Sequence, residues 1–204
     1  MLLYTLAKHP MRGAKPIRHR SKFMQIVQLL SSYSAGRRDF SGVDFRESWM
    51  PGLQVNEVIL RGADLTGSNF SHAKMCASDF SGAMLWRTNL TQATLSHANF
   101  ERATLIRCQL WGATIAQGCF VDADLRLADL RQANLAHSNL QNVQLSYADL
   151  SAATLIGIDF RSVDLTGARL DGADVTGCTF TREQITNLQL PDSLHDSSKS
   201  ELAV

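Results

Sequence analysis

Counting by fives from Phe40 to Leu190 lands on Leu, Phe, Ile, Val or Met at all 31 positions. Neither regular element has that period, because a helix repeats every 3.6 residues and a strand every 2. Two residues before each of these stands a second restricted position, which from 63 to 178 reads Ala fourteen times in 24 and is otherwise mostly Ser, Thr, Gly or Cys. The unit is therefore small, polar, large apolar, polar, polar. In extended backbone, residues two apart face the same side, so the small and the large residue point inward and the polar one between them faces out. The two positions that follow are rich in Gly, Ser, Thr, Asn, Gln and Asp, residues that suit tight turns. A chain that turns the same way every five residues winds into a coil, and stacked coils can bond at about 4.8 Å as strands do. The expectation is an all-β solenoid, a β-helix.

Phenylalanine fixes the size of the coil. Six of the eight Phe at the large inward position fall at 40, 80, 100, 120, 160 and 180, in one 20-residue register whose gaps are filled by Leu60 and Leu140. A 15-residue period scatters them. Four five-residue faces per coil and a column of Phe on one face are predicted, with seven to eight coils over residues 37–190.

A solenoid exposes an apolar cross-section at each end and needs caps. Within residues 21–36, Phe23, Ile26, Val27 and Leu30 recur at helical spacing, with Ser21 placed as N-cap and Gly36 as stop. This predicts a capping helix over the first coil. Residues 1–20 read as a basic, flexible arm, "TREQITNLQLPDSL" as the closure of the far end, and 191–204 as a tail. One early stretch departs from the pattern: "ESWMPGLQVNEV" places Trp49 where Asp or Asn is usual and Pro51-Gly52 at the turn. An irregular first coil is expected there.

At 204 residues the chain is one domain's worth. No apolar run approaches the roughly 18 residues that cross a bilayer, and "MLLYTLA" is too short for a secretory core segment. Four cysteines, Cys76, Cys108, Cys119 and Cys178, show no metal-type spacing, which suits free thiols in a reducing compartment; a cytoplasmic setting is expected. Charge is uneven. Residues 1–37 carry seven Lys/Arg and no acid, whereas 38–190 carry twelve Lys/Arg against sixteen Asp/Glu. The basic arm could touch nucleic acid or acidic lipid, although it has no interleaved aromatics; a transit peptide stays open as an alternative, though the arm is poor in Ser.

Catalytic chemistry has little to stand on. The Asp and Asn before each inward Leu are short polar groups that bond nearby backbone, and Asp124 and Asp129 lie one face apart. His97 and His137 share a column with Gln117 between them, about 10 Å apart at β spacing, too far for one zinc ion. No phosphate loop, dinucleotide fingerprint, HExxH or nucleophile elbow occurs. Neither an enzyme activity, a cofactor nor a metal is expected.

The units "GADLTG", "DADLRLADLRQANLAHSNL", "YADLSAATL" and "GADVTG" resemble the A(D/N)LxX signature of the pentapeptide-repeat family, and the resemblance covers about residues 38–190. It implies a right-handed quadrilateral β-helix. The join "LLSSYSAGRRDFSGVDF" is similar to the N-terminal cap of cyanobacterial members such as HetL. The family also implies two kinds of partner: a protein regulated through the rod's surface, or DNA gyrase and related topoisomerases in the branch that mimics DNA. Mimicry of a duplex requires a strongly negative surface, and a mildly acidic body with a basic arm is poorly suited to it.

Function must then lie in what the rod displays. Folding the sequence at 20 residues stacks Trp86-Arg87 beside Ile106-Arg107, Arg126-Leu127 and Ser146-Tyr147, with Met84 at the edge, where other columns carry Ser, Gly and Gln. Trp, Tyr and Arg dominate interface hot spots. Trp86, Arg87, Ile106, Arg107, Arg126, Leu127 and Tyr147 are the candidate partner-binding residues, for a protein partner of undetermined identity. Trp111 and Arg131, one coil apart, form a second candidate as a cation–π pair.

Overall fold

The computed structural model describes residues 16–190, with side chains from residue 24 onward. The expected basic arm falls largely, and the 191–204 tail wholly, outside the described residues. From Asp39 to Asp159 every fifth residue forms a parallel bridge with the residue twenty further on, with one exception. Each coil is therefore 20 residues and four-sided. The inward pairs are buried as the period requires: Ala83, Leu85, Ala98 and Phe100 are fully enclosed.

Each corner follows from one local rule. The N–H of the small inward residue donates to the carbonyl of the large residue three before it, as from Ala83 to Phe80 (2.9 Å) and from Ala93 to Leu90 (3.0 Å). The residue between turn and rung is left-handed, Gly82 at φ 63° and Gln92 at φ 55°. A left-handed third residue closed by that bond is the type II turn. The Asp or Asn that precedes the large residue accepts the N–H two residues on: Asn89 Oδ1 from Thr91 (2.9 Å), Asp124 Oδ1 from Arg126 (3.1 Å). The motif's polar residue is thus a turn clamp.

The Pro-Gly stretch corrects the sequence reading. Trp49 bridges Asn69 and Gln54 bridges Lys74 in register, and Gly52 at φ 68° donates to Ser71 O at 2.7 Å. The first coil is regular here because Pro second and Gly third are the residues a type II turn favours. Trp49 simply occupies the outward site, half exposed.

The predicted Phe column is a stack. Phe80 and Phe100 lie 4.9 Å apart at 4° between ring planes, Phe100 and Phe120 5.0 Å apart at 11°, and Phe160 and Phe180 4.9 Å apart at 5°. Leu140 separates the two stacks.

Both ends are closed. Helix α1, Pro16–Ser34, already runs ahead of the expected N-cap Ser21, and the left-handed Gly36 (φ 96°) follows its end. Its inner face is rotated from the one expected: Ile26 and Leu29 are buried with Leu30 and Tyr33 packed against the core, while Val27 is half-buried. Tyr33 explains the rotation, since its hydroxyl donates to Asn56 O (3.1 Å) and Arg38 lies 4.0 Å over its ring. At the far end α2, Arg182–Asn187, starts from a capping box of Thr181 and Gln184. Gln184 Nε2 also donates to the Phe160 and Val163 carbonyls at 2.8 and 2.9 Å, covering the last open rung, and Ile185 fills the inward position.

The exceptional rung is Asn139 with Asp159. On every neighbouring coil the large residue's N–H donates across the stack, as Phe120 to Asn139 O and Phe160 to Thr179 O (both 2.8 Å). Among the described residues Leu140 and Asp159 make no such backbone bond to each other's coil, and Asn142 N–H donates instead to Ser162 Oγ at 3.1 Å. Ser162 is also the one residue of its series, from Gly42 to Gly177, that is not left-handed. Ile158 and Val163, both buried, flank this rung at positions where the unit asks for a small residue. The rung opens into a cleft of about 430 Å³ lined by His137, Ser138, Asn139, Leu140, Gln141, Gly157, Asp159 and Ser162. Stability in a solenoid is a sum of units and nearest-neighbour interfaces, so this interface, one bonded rung short, is expected to be weaker than its neighbours. Amide exchange of Leu140 and Asp159 is expected to run at least about tenfold faster than that of Phe120 and Asn139; equal protection at the two rungs would show the seam is closed in solution.

Candidate interaction surface

The candidate residues meet at one corner. Met84 bridges Thr104, which bridges Asp124, which bridges Gln144, so residues 86–87, 106–107, 126–127 and 146–147 stack on four successive coils. Backbone bonds tie them: Arg87 N–H to Ile106 O, Arg107 N–H to Arg126 O and Leu127 N–H to Ser146 O, each 3.1 Å. Arg87, Arg107, Leu127 and Tyr147 are all left-handed, at φ 56°, 57°, 60° and 59°. Their side chains therefore leave the backbone at equivalent points and form a straight column parallel to the solenoid axis. Gly67 and Gly167 end that column on either side. A Cβ on Gly167 would stand 2.6 Å from Tyr147 Cδ1, so the glycine is what lets the ring lie over the next coil.

Large apolar side chains are concentrated here. Met84 is 46% exposed, Trp86 41%, Leu127 46% and Tyr147 64%. Four large exposed apolar side chains thus share one corner instead of being scattered over the surface. A left-handed residue with a branched or aromatic side chain costs the fold roughly 1 kcal/mol, a cost that the glycines of neighbouring coils avoid. Ile106 is half-buried.

The three arginines differ. Arg126 is forked onto Asp124 at 2.9 and 2.6 Å and belongs to the turn clamp. Arg87 stacks over the Trp86 ring at 4.4 Å. Arg87 and Arg107 make no carboxylate contact among the described residues, and with Gln109 and Leu127 they line a shallow hollow of about 600 Å³. Gln109 belongs to the corner although its type gives no signal in the sequence. The second candidate does not form: Arg131 is forked onto Asp129 at 2.8 and 2.7 Å rather than stacked on Trp111.

Elsewhere the polar groups are occupied by structure. Arg161 bonds hold the Asp159 carboxyl well below the usual range, and Arg131 does the same for Asp129. Serine and threonine bonds lower Asp39, Asp164 and Asp174. A general acid needs the opposite shift. Burial pushes the Cys108 and Cys178 thiols up, away from the thiolate a nucleophile requires; they donate to Thr88 O (3.1 Å) and Leu155 O (2.9 Å), and all four cysteines are free. Among the described residues no three His, Cys, Asp or Glu converge on a metal position, and no helix is long and apolar enough to cross a membrane.

A profile of pentapeptide repeats matches residues 39–182 in eight copies. The chain belongs to the pentapeptide-repeat family. That membership implies the right-handed sense for the four-sided coil seen here. Among solved structures, this pentapeptide-repeat protein is similar to HetL, a regulator of heterocyst differentiation from the cyanobacterium Nostoc sp. strain PCC 7120, with 24% identity over 74% of this chain and 95% of that one and a TM-score of 0.23. It is similar also to QnrB1, a plasmid-mediated fluoroquinolone resistance protein, with 15% identity over 74% and 93% of the two chains and a TM-score of 0.44. A third similar structure is a thylakoid-lumen member from Arabidopsis thaliana, 26% identical over 68% and 83%, with a TM-score of 0.28. Curated protein sequences give no match.

Proposed function

We propose that this pentapeptide-repeat protein is a non-enzymatic scaffold or regulator that presents a rigid β-helix surface to a protein partner, and that the partner docks on the corner of Trp86, Arg87, Ile106, Arg107, Leu127 and Tyr147. The supporting observation is the alignment of exposed Trp, Leu and Tyr with two arginines that form no salt bridge among the described residues. Arg126 stands at the rim, already committed to Asp124. Free thiols suit a reducing, cytoplasmic setting.

Imitation of DNA fits the surface poorly. A counterfeit duplex needs uncompensated negative charge along its length, whereas Asp44, Asp124, Asp129 and Asp159 are each forked by the arginine two residues on. Capture of partners from the native cell tests the proposal. A protein retained by the wild type and by Trp49→Ala, and lost with Trp86→Ala/Arg107→Glu, is the expected result; retention by the double variant removes the corner from consideration.

A further inference from the structure

The corner's charge and spacing say what kind of partner it takes. Five other surface arginines are each matched by an aspartate: Arg46 with Asp44, Arg61 with Asp79, Arg126 with Asp124, Arg131 with Asp129 and Arg161 with Asp159. The forked arginines at 46, 126, 131 and 161 each stand two residues after an outward aspartate, whereas Arg87 and Arg107 stand one position further on, at the left-handed residue, where two residues back lies the inward Leu85 or Leu105. Arg87 and Arg107 are thereby left as adjacent cations on the rim of one hollow, with apolar Trp86 before them and Leu127 and Tyr147 beyond.

Spacing selects a shape. Successive coils are about 4.8 Å apart, so the two guanidinium stems repeat at that distance along the axis. In an α-helix, residues i and i+3 are about 4.5 Å apart along the axis, at 1.5 Å per residue. In an extended strand, same-side residues repeat at about 6.6 Å and fall out of step within one coil. From the Trp86 coil to the Tyr147 coil is three steps, about 14 Å, or roughly ten helical residues. Resting on the reading that this corner is the contact site, we propose that it binds an acidic amphipathic helix of a partner protein, laid along the solenoid axis. A carboxylate pair at i and i+3 meets Arg87 and Arg107, and the helix's apolar face covers Trp86, Leu127 and Tyr147.

Synthetic helical peptides of about fourteen residues test this, sharing one apolar face and differing only in Glu, Gln or Lys at the i, i+3 pair. Binding is read by fluorescence anisotropy, with a short DNA duplex as competing polyanion. The Glu peptide is expected to bind wild type about tenfold or more tighter than the Gln peptide, with weakening in salt. The Lys peptide is expected to fail on wild type and to overtake the Glu peptide on Arg107→Glu. Equal binding of Glu and Gln peptides, both weakened by Trp86→Ala, overturns the acidic class while leaving the corner in place. Tighter binding of the duplex than of the Glu peptide makes the partner a polyphosphate and overturns the proposal. If no peptide binds but a captured cellular protein is still lost with Trp86→Ala/Arg107→Glu, the helix is wrong and the site is right. If neither responds, both fall.

Discussion

Phe100→Ala is expected to destabilise the protein by about 3–5 kcal/mol, the range for deleting a buried aromatic. Phe100 is fully buried and stacks on both neighbours, 4.9 Å from Phe80 and 5.0 Å from Phe120. Its removal leaves a void in a column that cannot collapse, because coil spacing is set by backbone bonds above and below, such as Phe100 N–H to Cys119 O at 2.7 Å. For a chain of this size the loss corresponds to a fall in Tm of roughly 6–20 °C. Phe100→Leu is expected to cost less, about 1–2 kcal/mol, since Leu60 and Leu140 already occupy the same column without breaking burial. Denaturant midpoints measure both. A Phe100→Ala variant no less stable than Phe100→Leu would mean that the stack is packed loosely and the column does not hold the coils in register.

Trp86→Ala/Arg107→Glu is expected to leave stability within about 1 kcal/mol of wild type and to weaken partner binding by about 2–4 kcal/mol, roughly 30-fold to 1000-fold in Kd. The separation of effects follows from where the side chains point. Both stand outside the turn and neither enters the core, and Arg107 is already a non-glycine left-handed residue, so a glutamate there takes the same backbone. The affinity loss has two sources: an aromatic anchor is removed, and a cation that meets a carboxylate is inverted into a like charge. Trp49→Ala is the matched control, a half-exposed tryptophan two coils before that of Trp86. Equal losses for the control and the double variant would show that the effect is not local to the corner.

The coil was legible because its period is unlike that of any other element. The inward residues, the 20-residue register and the Phe column could be counted, since burial acts on every fifth side chain without regard to what surrounds it. What counting missed was local competition. Trp49-Met50-Pro51-Gly52 read as an interruption, yet Pro and Gly are what the turn favours. Counting gave no signal at Ile158, Val163 and Ser162, where bulk at the small positions and a different backbone choice accompany the open rung at Asn139 and Asp159. Arg126 and Arg131 looked equivalent to Arg87 and Arg107 by type, yet the first two stand two residues after an aspartate that forks them, and the other two stand one turn position further on, two residues after an inward leucine. That last signal was present in the sequence, in the Asp124-Arg126 and Asp129-Arg131 spacing.

The central claim, that partners meet the solenoid at this corner, is tested most directly by side-chain oxidation footprinting of the purified complex. Met84, Trp86 and Tyr147 are reactive and exposed at the corner, while Met24 on α1 and Trp49, two coils before Trp86, are reactive and exposed away from it. Protection of Met84, Trp86 and Tyr147 by about fivefold or more, with Met24 and Trp49 unchanged, is the result expected of a hot-spot contact. Protection of Met24 or Trp49 with the corner left as reactive as in the free protein would contradict it.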